Sequence, residues 1–420
     1  MPNYYKKYIR IPPSESIDIR KIGHIVHHPL FQRLLHISQL GTTLMVFPGA
    51  RHNRFEHVLG VFAKTLKFTE KMSADGFLTK KQAWNVSLFG LLHDIGHGPF
   101  SHVIEELTPL SGDENENGLV VLKYLKEAIK KSEGDYELIK KMFQHRNSLY
   151  KIVMDKNVGM DKLDYLERDT YHTGFGQRPD IESLFNYLVF IKGKLVVDKK
   201  SLEAAKQMQR LYLYMYKEVY LHKSSLISQR FIQKTIARFI KIEKLDPSSL
   251  WLMNDSELLG KIYTNPDPVL QSLYTFYRDR NFPRVGLVVR LKNREFKERI
   301  AGKAIKVFGE KIEFFNKFLK LATPSSLETL EVKIAKAIGQ DSHKIVVVPT
   351  LDPWRFVPED ILYHDDGKVL SLKATHKEYF EALRSEMNDY IALRVCIVGD
   401  RNILYKNSNA IYKILKKEVK

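Results

Sequence analysis

The sequence predicts a mainly α-helical protein with a smaller α+β unit in its last third. From about residue 20 to 275, apolar residues recur at intervals of three and four, as in HVLGVFAKTLKFTEKM and AWNVSLFGLLHDIG, which is the spacing of amphipathic helices. Beyond residue 280, the β-prone runs VGLVVRL, KIVVVPTL, KVLSL and ALRVCIVGD alternate with helical stretches. We therefore expect an N-terminal segment (1–20), a helical domain (21–275) and a basic α+β C-terminal unit (276–420).

Shorter patterns predict individual elements. VFIKGKLVVD places two β-prone runs around Lys192, Gly193 and Lys194, which predicts a small hairpin that decorates the helical core. In the C-terminal unit, EKIEFFNKFLKLA and HKEYFEALRSEM have helical spacing. The same unit begins with a basic cluster made of Arg278, Arg280, Arg284, Arg290, Lys292, Arg294, Lys297 and Arg299.

Composition limits the class of protein. With 420 residues, of which 44% are hydrophobic, the chain has enough apolar material for a large core. No apolar run reaches the roughly 18 residues of a membrane span and the first residues lack a signal-peptide stretch, so we expect a cytoplasmic protein without membrane segments. The single cysteine, Cys396, excludes an intramolecular disulfide and is expected to be buried. The net charge of +18 is compatible with phosphorylated ligands and with nucleic acid.

Three separated segments carry candidate metal ligands. His57 lies on an apolar-periodic helix in NRFEHVLGV, His93 and Asp94 end the apolar helix of LLHDIGHGPFSH, and Asp161 opens a helix in MDKLDYLERD. Two imidazoles and two carboxylates suit Mn²⁺, Fe²⁺, Mg²⁺ or Zn²⁺ and leave coordination positions for water and a phosphate oxygen. The sequence therefore predicts one divalent cation on these four residues.

A His-Asp dipeptide alone carries little information in a chain with fifteen histidines. His364 and Asp365 illustrate this, because YHDDGKV has the pattern of a hairpin turn and we assign it no chemistry. The pair at 93–94 differs in its context. Glycines, a proline and two more histidines, His97 and His102, follow it at once, and helix formation does not require them.

These motifs resemble a known family. The blocks QLGTTLMVFPGARHNRFEHVLGV, LLHDIGHGPFSH, MDKLDYLERDTYHTG and VYLHK are similar to those of the deoxynucleoside triphosphate triphosphohydrolases of the HD superfamily, over roughly residues 20 to 235. The resemblance implies an HD-superfamily helical core. It also implies a metal-dependent hydrolysis of a dNTP to a deoxynucleoside and inorganic triphosphate, with Mn²⁺ or Mg²⁺ favoured. His57, His93, Asp94 and Asp161 take the ligand positions of the family.

The resemblance also implies roles for the residues around the cation. His97 and His102 match a histidine pair that contacts phosphates and protonates the leaving 5′-oxygen, and Glu105 is a carboxylate partner for His102. The matching substrate-binding positions are Gln39, Leu40, Arg54, Lys162, Tyr165, Asp169 and Tyr220. The four-residue spacing of Asp161, Tyr165 and Asp169 places them on one helix face. For Tyr220 a structural reading stays open, because RLYLYMYKEVYLHK also has the pattern of an aromatic core stripe.

One departure from the family keeps other functions open. Asn115 stands where the family carries a histidine of the proton-handling group, and an amide cannot shuttle protons. One alternative is an HD phosphohydrolase that acts on another nucleotide or on a nucleic-acid phosphoester. A second is an HD-fold protein with weak or lost catalysis that binds single-stranded nucleic acid through its basic C-terminal unit. Relatives are commonly oligomers, so we expect a homo-oligomer, a dimer or a tetramer.

Overall fold

The computed structural model describes residues 7–14, 16–107, 114–177, 179–292 and 305–419. Among these residues the chain divides into two compact units. The first unit takes its residues from Met1–Met215, Ser248–Glu257 and Pro358–Lys377, and the second from Tyr216–Pro247, Leu258–Val357 and Glu378–Lys420. The predicted fold class, mainly α with a sheet-containing C-terminal region, is confirmed. The domain limits predicted at residues 20 and 275 stay predictions.

The first unit is built mainly from helices. Its α-helices are Gly23–Val26, Pro29–Gln32, Arg54–Ala74, Lys80–Leu92, Glu114–Tyr124, Lys126–Lys131, Tyr136–Phe143, Tyr150–Met154, Met160–Thr173, Ile181–Tyr187, Leu202–Met215 and Leu372–Thr375. Short 3-10 turns cover Arg33–His36, Gly41–Met45, Ser101–Val103, Glu105–Leu107 and Lys199–Ser201. Its strands are Tyr8–Arg10, Ser16–Asp18, Leu188–Ile191, Lys194–Asp198, Leu362–Asp365 and Lys368–Ser371.

Three of these helices carry the predicted ligands, and local sequence signals explain their limits. The His57 helix (Arg54–Ala74) begins where the Asn53 side chain accepts a hydrogen bond from the Glu56 amide. The His93 helix (Lys80–Leu92) begins with a capping box between Thr79 and Gln82. The Asp161 helix (Met160–Thr173) ends at Gly174, whose φ of 72° is the left-handed conformation that glycine adopts at helix ends. These ends fix where the ligands fall along each helix.

The hairpin predicted at residues 189–198 is confirmed. Its strands pair antiparallel from Leu188 with Val197 to Ile191 with Lys194, and Lys192 and Gly193 form the turn with positive φ. Lys194–Asp198 also pairs in parallel with Leu362–Asp365, which extends the hairpin to a four-stranded sheet. The interpretation of YHDDGKV is confirmed as well, with Asp366 and Gly367 in the turn.

The second unit combines helices with one sheet. Its helical elements are the π-helical turn Tyr216–Tyr220, the helices Lys223–Glu243, Pro268–Arg278, Ile312–Leu319, Pro324–Ala337, Asn402–Lys406 and Ser408–Glu418, and the 3-10 turns Ser342–Lys344, Pro353–Phe356 and Asn388–Tyr390. Its strands are Arg284–Leu291, Lys306–Glu310, Ile345–Thr350 and Ala392–Ile397. The remaining elements, Pro247–Leu252, Asp255–Thr264 and Lys377–Met387, contain residues of both units.

The sheet of the second unit contributes buried residues to the hydrophobic core of that unit. Ala392–Ile397 lies at its centre and pairs antiparallel with Arg284–Leu291 and Ile345–Thr350, while Lys306–Glu310 adds in parallel at one edge. The central strand is buried on both faces, although Arg394 interrupts its apolar residues; Arg394 Nη1 donates to Thr350 Oγ1 at 3.0 Å. Cys396 on this strand is buried, as expected.

Two predictions fall partly outside the described residues. Arg294, Lys297 and Arg299 of the basic cluster lie there, and so does the side chain of Asn115. Within the described part of the chain, none of the helices is long and apolar enough to cross a membrane.

Candidate metal centre and active site

The first unit brings three of the four predicted ligands into one cluster. His57 lies in the first turn of the His57 helix, His93 caps the end of the His93 helix, and Asp161 lies in the first turn of the Asp161 helix. A ligand atom from each of them lies within 4.8 Å of the other two. Asp94 follows His93 and approaches the same point, so we call His57, His93, Asp94 and Asp161 the primary cluster.

The contacts of the primary cluster converge on two imidazole nitrogens. Asp161 Oδ1 lies 3.1 Å from His57 Nε2 and 3.5 Å from His93 Nε2. Asp94 contributes both oxygens, with Oδ1 at 3.3 Å from His93 Nε2 and Oδ2 at 3.5 Å from His57 Nε2. These distances place two carboxylates around the pair of Nε2 atoms.

The remaining nitrogen of each imidazole is held by an acceptor. His57 Nδ1 lies 2.9 Å from Asp164 Oδ2, and His93 Nδ1 lies 2.8 Å from the carbonyl oxygen of Gly90. Both Nε2 atoms are buried and lack a contact with hydrogen-bond geometry in the described part of the chain. A proton held at Nδ1 leaves the lone pair at Nε2, which is the form of histidine that binds a metal. The residues therefore fit a divalent cation.

Asp164 is a functional residue that the sequence analysis missed. Its fully buried carboxylate also binds Lys64 at 2.7 Å and Arg168 at 2.9 and 3.0 Å. Gly60 of the His57 helix permits this arrangement, because a Cβ atom there would overlap both the Asp164 carboxylate and the Arg168 guanidinium. The spacing of Asp161 and Asp164 by three residues, with Arg168 four residues later, was the available signal.

Electrostatics of the primary cluster favour positive charge. Burial lowers the pKa of His57, but the carboxylates of Asp161 and Asp164 outweigh it and raise the pKa to about 9. Asp94 and Asp161 likewise raise the pKa of His93 against the effect of burial. The pKa of Asp161 is lowered, because His57 and His93 outweigh its burial. In the metal-free protein, protons therefore compete for the nitrogens that a cation would bind.

Arg54 lies against this cluster rather than apart from it. Its buried guanidinium binds the Asp94 carboxylate through Nη1, and its Nε donates to Ser101 Oγ at 3.0 Å. Despite full burial the pKa of Asp94 lies well below its usual range, with Arg54 the strongest cause of the lowering. The predicted phosphate-binding arginine is thus next to the predicted metal ligands.

A second group of residues, the histidine–glutamate cluster, consists of His97, His102 and Glu105. His102 Nδ1 lies 2.8 Å from Glu105 Oε1, and His97 Nδ1 lies 3.6 Å from the same oxygen. His97 is buried, whereas the His102 side chain is 67% exposed. Burial raises the pKa of Glu105, but His102 and His97 outweigh it and lower the pKa to about 2. Glu105 is therefore ionised and holds His102 in place.

Two buried residues that sequence reasoning missed fix the loop between these clusters. Arg33 donates to the carbonyl oxygens of Ile95 at 3.0 Å and His97 at 2.8 Å. Asp255 accepts from the Phe100 amide at 2.7 Å and from Ser38 at 2.6–3.0 Å. Both anchors join segments that are distant in sequence, so no local pattern points to them.

The predicted substrate residues on the Asp161 helix occupy different environments. The ammonium group of Lys162 lies 3.6 Å from the centre of the Tyr212 ring and donates to the Lys156 carbonyl. Burial lowers the pKa of Lys162 to about 8. Asp169 is buried and accepts a contact of 2.7 Å from His52 Nε2, while Tyr165 is half-buried. His52 is a further residue that the sequence analysis missed.

The other predicted substrate residues belong to different units. The backbone amide of Gln39 donates to the His52 carbonyl oxygen at 3.1 Å, which connects Gln39 to the residues just before the His57 helix. Leu40, the next residue, is half-buried. Tyr220 belongs to the second unit, where its ring lies 4.9 Å from that of Tyr216. The roles of these three residues stay predictions.

Family models match both parts of the chain. The model of the HD domain matches residues 54–169, which contain the primary cluster. The model of the HD associated region matches residues 180–400, more than half of the chain. This chain belongs to the HD-domain family. The resemblance seen in its sequence motifs is confirmed.

The relatives of this HD-domain protein include named dNTPases. An uncharacterized protein of Methanocaldococcus jannaschii is 35% identical over 241 residues, which are 56% of this chain and 50% of the relative. The deoxynucleoside triphosphate triphosphohydrolase SAMHD1 homolog of Dictyostelium discoideum is 30% identical over 267 residues, 57% of this chain and 51% of the relative. The chain spans about half the length of these curated relatives.

A solved structure extends the likeness to nearly the whole chain. The phosphohydrolase of Bacteroides thetaiotaomicron matches 94% of this HD-domain protein and 100% of its own chain, with a TM-score of 0.71 and 23% identity. At this identity the likeness shows a shared fold.

Proposed function

We propose that this HD-domain protein hydrolyses deoxynucleoside triphosphates to a deoxynucleoside and inorganic triphosphate. The observation that carries the proposal is the primary cluster. In the described residues, its His57 Nε2 and His93 Nε2 atoms lack a contact with hydrogen-bond geometry, and they lie 3.1 and 3.5 Å from Asp161 Oδ1. The name of the Dictyostelium relative supports the substrate class. Mn²⁺ or Mg²⁺ as the cation, a cytoplasmic location and a dimer or tetramer belong to the same proposal.

The four residues of the primary cluster would hold the cation. When bound, it would polarise the α-phosphate and lower the pKa of a water molecule. Arg54 and Lys162 add two positive charges for a substrate with about four negative charges. Arg54 suits this task because its planar guanidinium presents several donors at once, and the Asp94 and Ser101 contacts fix its orientation.

The histidine–glutamate cluster would handle the proton. Breaking the bond between the α-phosphorus and the 5′-oxygen leaves an electron pair on that oxygen, which must be protonated. The exposed His102 can donate this proton from Nε2, because its Nδ1 is held by the ionised Glu105 at 2.8 Å. His97, buried beside them, completes the cluster. Water supplies the hydroxyl group that remains on the triphosphate.

A second candidate is hydrolysis of another nucleotide or of a nucleic-acid phosphoester at the same site. Asn115 favours it, because this position lacks the histidine that the resemblance leads one to expect. An HD-fold protein that binds single-stranded nucleic acid and has lost catalysis is the remaining alternative. Its binding would weaken steeply with salt, since it would depend on contacts between basic residues and phosphates.

A chromatographic assay tests these functions together. The purified protein is incubated with Mn²⁺ or Mg²⁺ and the four dNTPs, the rNTPs, nucleoside monophosphates or single-stranded DNA. We expect deoxynucleoside and intact triphosphate in equal amounts, and neither product with the Asp161→Ala variant. Release of orthophosphate or pyrophosphate, or turnover of another substrate alone, would favour the second candidate. Inactivity combined with salt-sensitive DNA binding would favour the third.

A further inference from the structure

The histidine–glutamate cluster has the features of a cation site in its own right. His97, His102 and Glu105 each offer a ligand atom, and these atoms lie within 4.8 Å of one another. Two imidazole nitrogens and one carboxylate form a ligand set that suits Zn²⁺, Fe²⁺ and Mn²⁺. The set is partly open to solvent on the side of His102, which leaves room for water ligands.

The two nitrogens of His97 lie between the primary cluster and Glu105. One of its nitrogens, Nε2, lies 3.4 Å from Asp94 Oδ1. The other, Nδ1, is buried, lacks a contact with hydrogen-bond geometry in the described residues, and lies 3.6 Å from Glu105 Oε1. A metal-binding histidine characteristically donates its second N–H to a carboxylate. His97 therefore has one nitrogen near Asp94 and a second, buried nitrogen on the side of Glu105.

We propose that His97, His102 and Glu105 bind a second divalent cation beside the primary cluster. Asp94 connects the two sites, since its Oδ1 approaches both His93 Nε2 at 3.3 Å and His97 Nε2 at 3.4 Å. The inference goes beyond the proposed function, in which these residues only move a proton. A cation there would offset the negative charge on the leaving oxygen, and the proton released by the attacking water would complete the hydroxyl group of the deoxynucleoside.

The contact between His102 and Glu105 gives the second site a measurable signature. Their 2.8 Å separation is that of a hydrogen bond between Nδ1 and the carboxylate. A cation that takes both ligand atoms displaces a proton from His102 when that residue is protonated. Binding at the second site should thus be weakened by acid.

Metal stoichiometry tests the proposal without any turnover. Metal-free protein is dialysed against a series of free Mn²⁺ concentrations, and bound manganese is measured by mass spectrometry with inductively coupled plasma. We expect two ions per wild-type chain, one for Glu105→Gln or His102→Gln, and one for Asp161→Ala. The double variant Asp161→Ala/Glu105→Gln should bind none. Glu137→Gln, which replaces an exposed carboxylate, is the matched control and should bind two.

The outcomes separate this inference from the proposed function. One ion per wild-type chain, or two ions in the Glu105→Gln variant, would overturn the second site and leave the dNTPase proposal untouched. Two ions in a wild-type protein that releases no triphosphate would support the second site while refuting the proposed function. His102 is exposed, so its replacement should not unfold the chain, and circular dichroism checks this.

Discussion

Replacing Asp164 by asparagine tests the support of the metal site most directly. The carboxylate is fully buried and contacts His57 Nδ1, Lys64 and Arg168 at 2.7–3.0 Å. Loss of its charge leaves buried cations without their counter-ion, which typically lowers the free energy of unfolding by about 3–5 kcal/mol. An amide also holds the His57 proton less firmly, and such losses next to a ligand reduce metal affinity by about ten- to a hundredfold.

Two measurements separate these effects. Urea denaturation of the metal-free protein gives the change in stability, and calorimetric titration with Mn²⁺ gives the affinity. Lys64→Met is the matched control, because it removes one cation from Asp164 but leaves the contact between Asp164 and His57. We expect the control to lose stability and to keep its affinity within about twofold. If Asp164→Asn binds Mn²⁺ as tightly as the wild type, Asp164 does not orient a metal-binding histidine.

Three further predictions follow from the primary cluster. Asp161→Ala should lose bound metal and hydrolysis while keeping its helical content, because Asp161 is a partly exposed ligand at the start of a helix. Metal analysis and circular dichroism test this prediction, and a variant that retains metal would contradict it. The pKa of His57 is raised to about 9, so protonation of His57 stabilises the folded, metal-free protein. This contribution is fully present below about pH 6.5 and is lost as the pH rises towards 9. Metal affinity should rise with pH, by about tenfold per pH unit for each displaced proton. Calorimetric titrations that give the same affinity at every pH would exclude this competition between protons and metal. The Arg54→Lys variant should keep the metal but have a higher Michaelis constant for dNTP, because a lysine cannot reproduce the two contacts to Asp94 and Ser101. An unchanged Michaelis constant would place Arg54 outside the substrate site.

The ligand-bearing helices were predictable because their signals are local. Asn53 and Thr79 cap the helices that carry His57 and His93, and Gly174 ends the helix that carries Asp161. The strands around Cys396 were predictable for a similar reason, since a run of apolar β-prone residues marks a buried strand. In contrast, the edge strand Lys306–Glu310 has no such run and was not predicted.

The residues that hold the site in shape were not predictable in this way. Asp164 contacts His57 across 107 positions of sequence, and Arg33 reaches the carbonyl of His97 across 64. Asp255 reaches the Phe100 amide across 155. A single sequence shows which residue types are present, but pairings of this kind arise only when helices pack. This is why the sequence predicts the candidate metal ligands and not the residues that support them.

The balance of charge explains why the primary cluster is a candidate cation site and not an ion-paired core. Asp94 is neutralised by Arg54, and Asp164 by Lys64 and Arg168. The contacts of Asp161 in the described residues are instead with histidines, which carry charge only when protonated. The Asp161 carboxylate therefore requires a positive charge beside it. Either protons on His57 and His93 or a divalent cation can provide this charge. The raised pKa of His57 and the proposed affinity for metal are then two consequences of the same arrangement, which is why the stability of the metal-free fold and the metal affinity should depend on pH in opposite directions.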